Sequence, residues 1–149
     1  MSKVKAAVRN FKDGYACSQA VFCAYAKEVG MDNETALKIS TGFAGGMRKG
    51  EVCGAVTGAL MAIGLKYGNK KCDKLSERQK VYEVVNRLHA EFLKKHKSLR
   101  CKELLGADPS TPEGRKMIEE KNLHELICAG LVQDTAEILE GILREVQTC

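Results

Sequence analysis

Glycine spacing is the feature that most limits how this chain can fold. In "GMRKGEVCGAVTGALMAIG", residues 46–64, Gly46, Gly50, Gly54 and Gly58 recur at every fourth position, and Gly42 extends the series upstream. A glycine inside a helix costs about 0.5–1 kcal/mol relative to alanine, so such a run needs a compensating use. Residues four apart share one helix face. A helix from Gly50 to Tyr67, stopped by Gly68, would carry a strip without side chains at Gly50, Gly54 and Gly58, flanked by Ala55, Ala59 and Ala62. That strip admits another helix backbone, or a bulky cofactor or disulfide partner beside Cys53. Gly42, Gly45 and Gly46 predict a loop just ahead of it. The loop does not fit phosphate binding, because it lacks the GKS/GKT ending and a preceding strand.

The remaining segments also read as helix. Helices are predicted over Lys3–Lys12 before Gly14, Cys17–Val29 before Gly30, and Glu34–Thr41 capped by Asp32 or Asn33. A long helix follows from Ser76, as cap, to about Lys97, with one turn at "RCKELLG" after it. Ser110 or Thr111 caps a helix that begins at Pro112 and ends near Lys121. A last helix follows "NLHELICAG". Apolar stripes at helical spacing run through Val21, Phe22, Tyr25 and Val29, through Val81, Val85, Leu88 and Phe92, and through Val132, Ala136, Leu139, Leu143 and Val146 with Ile142 beside them. No run alternates as a strand does. The expected fold is all-α, a single compact bundle of about six helices with a glycine-rich central helix, forming one domain over residues 1–149. An apolar content of 44% supplies its core, which must be mainly aliphatic because aromatics are 5% and tryptophan is absent.

Charge excludes several functions. The net charge of +5 gathers in "KHKSLRCK" and "GNKKCDK", where no aromatic is interleaved, so these read as solvated helix ends and nucleic acid is not an expected partner. The longest low-charge run, Val52 to Leu65, is 14 residues. A membrane span needs about 20, so no membrane insertion is expected. With no apolar leader in "MSKVKAAVRNFKDG", the expected location is cytoplasmic. No Ser/His/Asp signature or acid–base pair points to a hydrolase, and whether the chain is an enzyme stays open.

Seven cysteines stand at 17, 23, 53, 72, 101, 128 and 149. None has CxxC, zinc-finger or ferredoxin spacing, and there is no CxxCH, so no haem is expected. A reducing compartment argues against a disulfide framework. Any shared sulfur site must therefore be gathered from distant segments by the fold. Cys53, in the first turn of the predicted glycine-rich helix, is a candidate thiolate, because free N–H groups and the helix dipole favour negative charge there. Glu51 opposes this. The residues alone leave three uses open: metal binding, thiol–disulfide exchange, or packing of small apolar groups in a non-catalytic helical interaction module.

The local contexts of four cysteines add a resemblance. "CGAVTG" at residues 53–58 resembles the glycine–cysteine element of the C_GCAxxG_C_C family, described as putative redox-active proteins, although here Cys53 precedes Gly54. "ACSQAV" supplies the family's first cysteine at Cys17, "RCKELLG" its third at Cys101 and "CAGLVQDTAEIL" its fourth at Cys128, so the resemblance spans about residues 10–145. It implies one sulfur site made by Cys17, Cys53, Cys101 and Cys128, beside Gly54 and Gly58. Four thiolates suit an iron–sulfur cluster for electron transfer, with zinc the lesser expectation. The alternative is a thiol–disulfide redox protein that cycles pairs of the same cysteines, with Cys53 attacking. Either role implies an unidentified redox partner protein, and the glycine strip could also pack across a homodimer.

Cys23 is expected to pack in the core, and Cys72 and Cys149 to be exposed. His89 and His96 lie about 10 Å apart along one helix, too far to share an ion, and are expected at the surface or its boundary. His124, near Cys128, is a lesser candidate for a fifth ligand or proton donor.

Overall fold

Two helices meet at backbone distance in this protein, and the other elements are arranged around that contact. The computed structural model describes residues 2–72 and 75–146. Among them are eight α-helices and no strand: α1 Lys3–Lys12, α2 Cys17–Ala26, α3 Asn33–Ser40, α4 Gly54–Tyr67, α5 Leu75–Lys95, α6 Cys101–Leu105, α7 Pro112–Glu120 and α8 Ala129–Glu145. The all-α bundle expected from the stripes is present. Its helix number exceeds six because short segments such as α6 form helices of their own.

Local chemistry sets the helix starts. Ser2 Oγ accepts from the Lys5 N–H at 3.1 Å, Asp32 Oδ1 from Thr35 at 2.9 Å and Thr111 Oγ1 from Gly114 at 3.0 Å. Each satisfies an amide that the first helical turn leaves without a partner. Pro112 takes the first position of α7.

Several boundaries depart from expectation, among them α3, which spans Asn33–Ser40 rather than Glu34–Thr41; at α2 and α4 the reason is visible. α2 ends at Ala26 rather than Val29, because the Met31 N–H returns to Ala26 O at 2.8 Å and Gly30 turns left-handed at φ 99°. α5 starts at Leu75, so Ser76 lies in its first turn and not at the cap. α4 starts at Gly54, not Gly50, because Gly50 is left-handed at φ 68° and residues 51–53 then extend to meet residues 99–101. Gly50 is therefore outside the bare strip, and Cys53 is the N-cap of α4 instead of a first-turn residue.

α4 is the central helix, buried from Gly54 through Ala59 and again at Ala62 and Ile63. It packs most extensively on α2, and also on α8 and α5. A Cβ built on Gly58 would lie 2.5 Å from Ser18 O and 3.3 Å from Phe22 N, so the strip receives the backbone of α2. Ser18 is itself fully buried and donates to Ser40 O at 2.8 Å, which ties α2 to the end of α3. Around this contact Phe22, Tyr25, Ile63, Leu88, Phe92, Leu139 and Ile142 form the fully buried core. The Tyr25 hydroxyl donates to Ala136 O at 3.0 Å, which satisfies the one polar atom on a large buried ring. Among the described residues no helix is long and apolar enough to cross a membrane.

Two substitutions separate packing glycines from incidental ones. Gly58→Ala should destabilise the fold by about 1–3 kcal/mol, because the new methyl meets backbone that cannot move aside. Gly64→Ala, with nothing within 4 Å, should instead stabilise it by about 0.5–1 kcal/mol. Urea denaturation of both variants reads the two signs.

Candidate functional site

The four cysteines with family-like contexts reach one place from four segments. Cys17 is the first residue of α2, Cys53 the N-cap of α4 and Cys101 the first residue of α6. Cys128 closes a wide helical turn, His124–Cys128, that runs on into α8. All four line a single cavity of about 640 Å³, and Gly54 lies on the same wall. Cys53 and Cys101 are buried, while Cys17 and Cys128 are half-buried.

A short extended pairing sets Cys53 beside Cys101. The Cys53 N–H donates to Leu99 O at 2.7 Å and the Cys101 N–H to Glu51 O at 2.6 Å, with Val52 and Arg100 opposed in antiparallel fashion. The two cysteines are thus diagonal neighbours across the pair. Arg100 locks the register from outside: its Nε and Nη2 donate to the two Glu51 carboxylate oxygens at 3.0 and 3.2 Å. This bond, helped by Lys102, holds the Glu51 carboxyl below its usual range. Glu51 therefore spends its charge on a clamp, whereas the sequence suggested that it opposes a Cys53 thiolate.

Gly54 is required by sulfur. A Cβ there would lie 2.3 Å from Cys17 Sγ and 3.2 Å from Ala44 Cα. Gly58, also expected at the site, is not on the cavity wall; it faces the α2 backbone. The glycine strip thus serves helix packing at Gly58 and sulfur at Gly54.

Burial dominates the thiol chemistry. It pushes Cys101 up to about 11 and Cys128 up to about 12, with neighbouring thiols adding to both. It pushes Cys53 up further, and the nearby Cys17 and Cys101 add to that. The amides of Ala55 and Val56 do act on Cys53 in the expected, lowering direction, but burial outweighs them. Cys53 is therefore a protonated thiol near neutral pH unless a cation replaces the proton. The Arg48 charge lowers Cys101 in part. Among the described residues, no three His, Cys, Asp or Glu side chains are grouped closely enough to hold one metal ion.

A family model described as "Putative redox-active protein (C_GCAxxG_C_C)" matches residues 15–142. The chain belongs to the C_GCAxxG_C_C family. Comparison with curated proteins finds no match, and comparison with solved structures finds none. As a C_GCAxxG_C_C protein, it is a cysteine-containing chain of a redox-active family, and the cysteines at 17, 53, 101 and 128 all fall within the matched span.

Most other residues flagged from the sequence lie elsewhere. Cys23 packs against the core away from the cavity, Cys72 is exposed, and Cys149 is outside the described residues. His96 Nε2 lies 2.9 Å from Asp134 Oδ2, while His89 Nε2 is buried without a hydrogen-bond partner. His124 is exposed and lines the cavity. Sequence reasoning passed over Arg48 and Asn122, which also line it and are left-handed at φ 61° and 52°. The glycine density of "GGMRKG" was the available signal for the first; Asn122 had none beyond asparagine's tolerance of that conformation.

The raised thiols predict a pH dependence. In the native, reduced, metal-free protein Cys101 and Cys128 keep their protons to about 11 and about 12, whereas the unfolded chain releases them near 9.0. The native state then binds more protons, so stability should fall as pH rises from 9 towards 12. Chemical denaturation across that range should show the fall, and Cys128→Ser should make it shallower.

Proposed function

We propose that this chain holds a redox centre on the thiolates of Cys17, Cys53, Cys101 and Cys128, and that the centre is an iron–sulfur cluster used for electron transfer. The observation that carries this reading is the single cavity lined by all four cysteines. The donor set fits, since four soft sulfurs suit such a cluster. A lone zinc ion fits less well. It needs four sulfurs about 2.3 Å from one point, and the described side chains are not grouped for one ion. A cluster reaches its cysteines through several metal atoms and so fills a larger space, which a cavity of about 640 Å³ offers.

When bound, the cluster supplies reversible one-electron chemistry. The chain's own residues would govern it. Each thiol must give up its proton, which burial resists at Cys53, Cys101 and Cys128, so loading is favoured as pH rises. The amides of Ala55 and Val56 would stabilise negative charge on the Cys53 sulfur, and Arg48 would do so near Cys101. Leu105 and Leu131 on the wall would limit water.

One observation favours a second reading: the Cys17 sulfur packs against Gly54, directly beside Cys53, and in this reading Cys53 and Cys17 join as a disulfide, releasing two electrons and two protons to a partner. The upward shift of Cys53 counts against its acting as the attacking thiolate.

Anaerobic purification with iron, zinc and acid-labile sulfide analysis separates these. The cluster reading expects a brown protein with iron and sulfide, and loss of colour on changing Cys17, Cys53, Cys101 or Cys128 to serine. A colourless protein with one zinc, or a metal-free one that reversibly loses two thiols on mild oxidation, would overturn it.

A further inference from the structure

The cysteine cavity is not isolated. A second hollow of about 430 Å³ adjoins it, and Arg48, Pro109, Asn122 and His124 line both. This second hollow adds Arg115 and one carboxylate, Glu119. Arg9, Arg87, Arg100 and Arg144 each pair with a carboxylate, whereas among the described residues Arg48 and Arg115, like Arg78 on α5 away from both hollows, have none within 4.0 Å. Glu119 follows Arg115 by one helical turn and still does not pair with it. Glu125, on the wall of the first cavity, accepts from Asn122 Nδ2 at 3.3 Å.

The backbone is bent to put these groups there. The non-glycine residues at positive φ among those described are Met47, Arg48 and Asn122. Two of the three line both hollows. This conformation costs a non-glycine residue stability, and such outliers gather at binding sites. The guanidinium of Arg48 folds back over Gly45, where a Cβ would lie 2.9 Å from Nη1. Arg115 is anchored by donating from Nη1 to Pro109 O at 3.3 Å, which leaves its other N–H groups free to face the hollow.

We propose that Arg48 and Arg115 form an anion subsite beside the thiol cavity, which binds the carboxylate or phosphate group of a small molecule that approaches the thiols from that side. Planar guanidiniums recognise both groups by paired N–H donors. This rests on the thiol cavity being the working site, since only then does the neighbouring hollow lead to chemistry.

Calorimetric titration of the full-length protein, as purified, with inorganic phosphate and with acetate tests the subsite. At least one anion should bind, and its identity tells phosphate from carboxylate. Arg48→Gln and Arg115→Gln should each weaken binding by roughly tenfold, while Arg78→Gln on α5 should not. No binding at millimolar concentration, or binding unchanged in both variants, would overturn the proposal. A second measurement tests the link to sulfur. In the reduced chain, iodoacetate and neutral iodoacetamide alkylate thiols by displacing iodide, and mass spectrometry reads each cysteine. The iodoacetate-to-iodoacetamide rate ratio at Cys17 and Cys128 should drop roughly tenfold in the Arg48→Gln/Arg115→Gln double variant, with exposed Cys72 unchanged. An unchanged ratio at both cavity cysteines would sever the subsite from the thiols. If the cavity cysteines resist both reagents, the thiol reading fails, and the anion titration still judges the subsite in Cys17→Ser/Cys128→Ser protein.

Discussion

The contact between the α2 backbone and the bare face of α4 decides where the sulfur of Cys17 can be. At Gly58 the missing side chain lets Ser18 O approach to a distance that a Cβ would forbid. One turn earlier, at Gly54, the same absence makes room for Cys17 Sγ. Cys53 precedes Gly54 directly, so the contact that seats α2 also seats its first cysteine near the second. The extended pairing of residues 51–53 with residues 99–101 then brings Cys101, and the wide turn before α8 brings Cys128. Each step uses backbone geometry, which explains how four single cysteines can meet without any short motif.

The arrangement is electrostatically unfinished. Buried thiols prefer to stay neutral, and those of Cys53, Cys101 and Cys128 are pushed further from ionising by burial and by Cys17. Among the described residues, the α4 amides act the other way at Cys53 and the Arg48 charge at Cys101. A metal-containing centre would supply the missing positive charge directly, which is the physical reason to prefer it over a free attacking thiolate. Arg48 is held by a left-handed turn and has no carboxylate within 4.0 Å among the described residues, so its charge remains available to the cavity and to whatever enters it.

Much of the fold was legible because apolar stripes and capping residues act locally. α1 runs over Lys3–Lys12 and ends before Gly14 as expected, and Asp32, Thr111 and Pro112 mark their helices correctly. The stripes of α2, α5 and α8 are buried at Val21, Phe22, Leu88, Phe92, Val132 and Leu139. What stayed hidden was set by distant partners. Gly50 reads as one more member of a four-residue series, yet its left-handed φ ends the series because residues 51–53 bond to residues 99–101, far along the chain. A single opposed pair, Val52 with Arg100, is too short to leave the alternation that betrays a strand. The family-like contexts named the four cysteines, but periodicity could not tell that Gly58 serves packing while Gly54 serves sulfur. Nor could it show that burial overrides the helix N-terminus at Cys53.

The central claim is that Cys17, Cys53, Cys101 and Cys128 face one shared cavity. Cross-linking the reduced native protein with a short bifunctional thiol reagent, followed by peptide mapping, tests this most directly. Cross-links should fall among these four cysteines and leave Cys23 and Cys72 unlinked to them. Links from Cys23 or Cys72 to the four, formed as readily as links among them, would contradict the shared site.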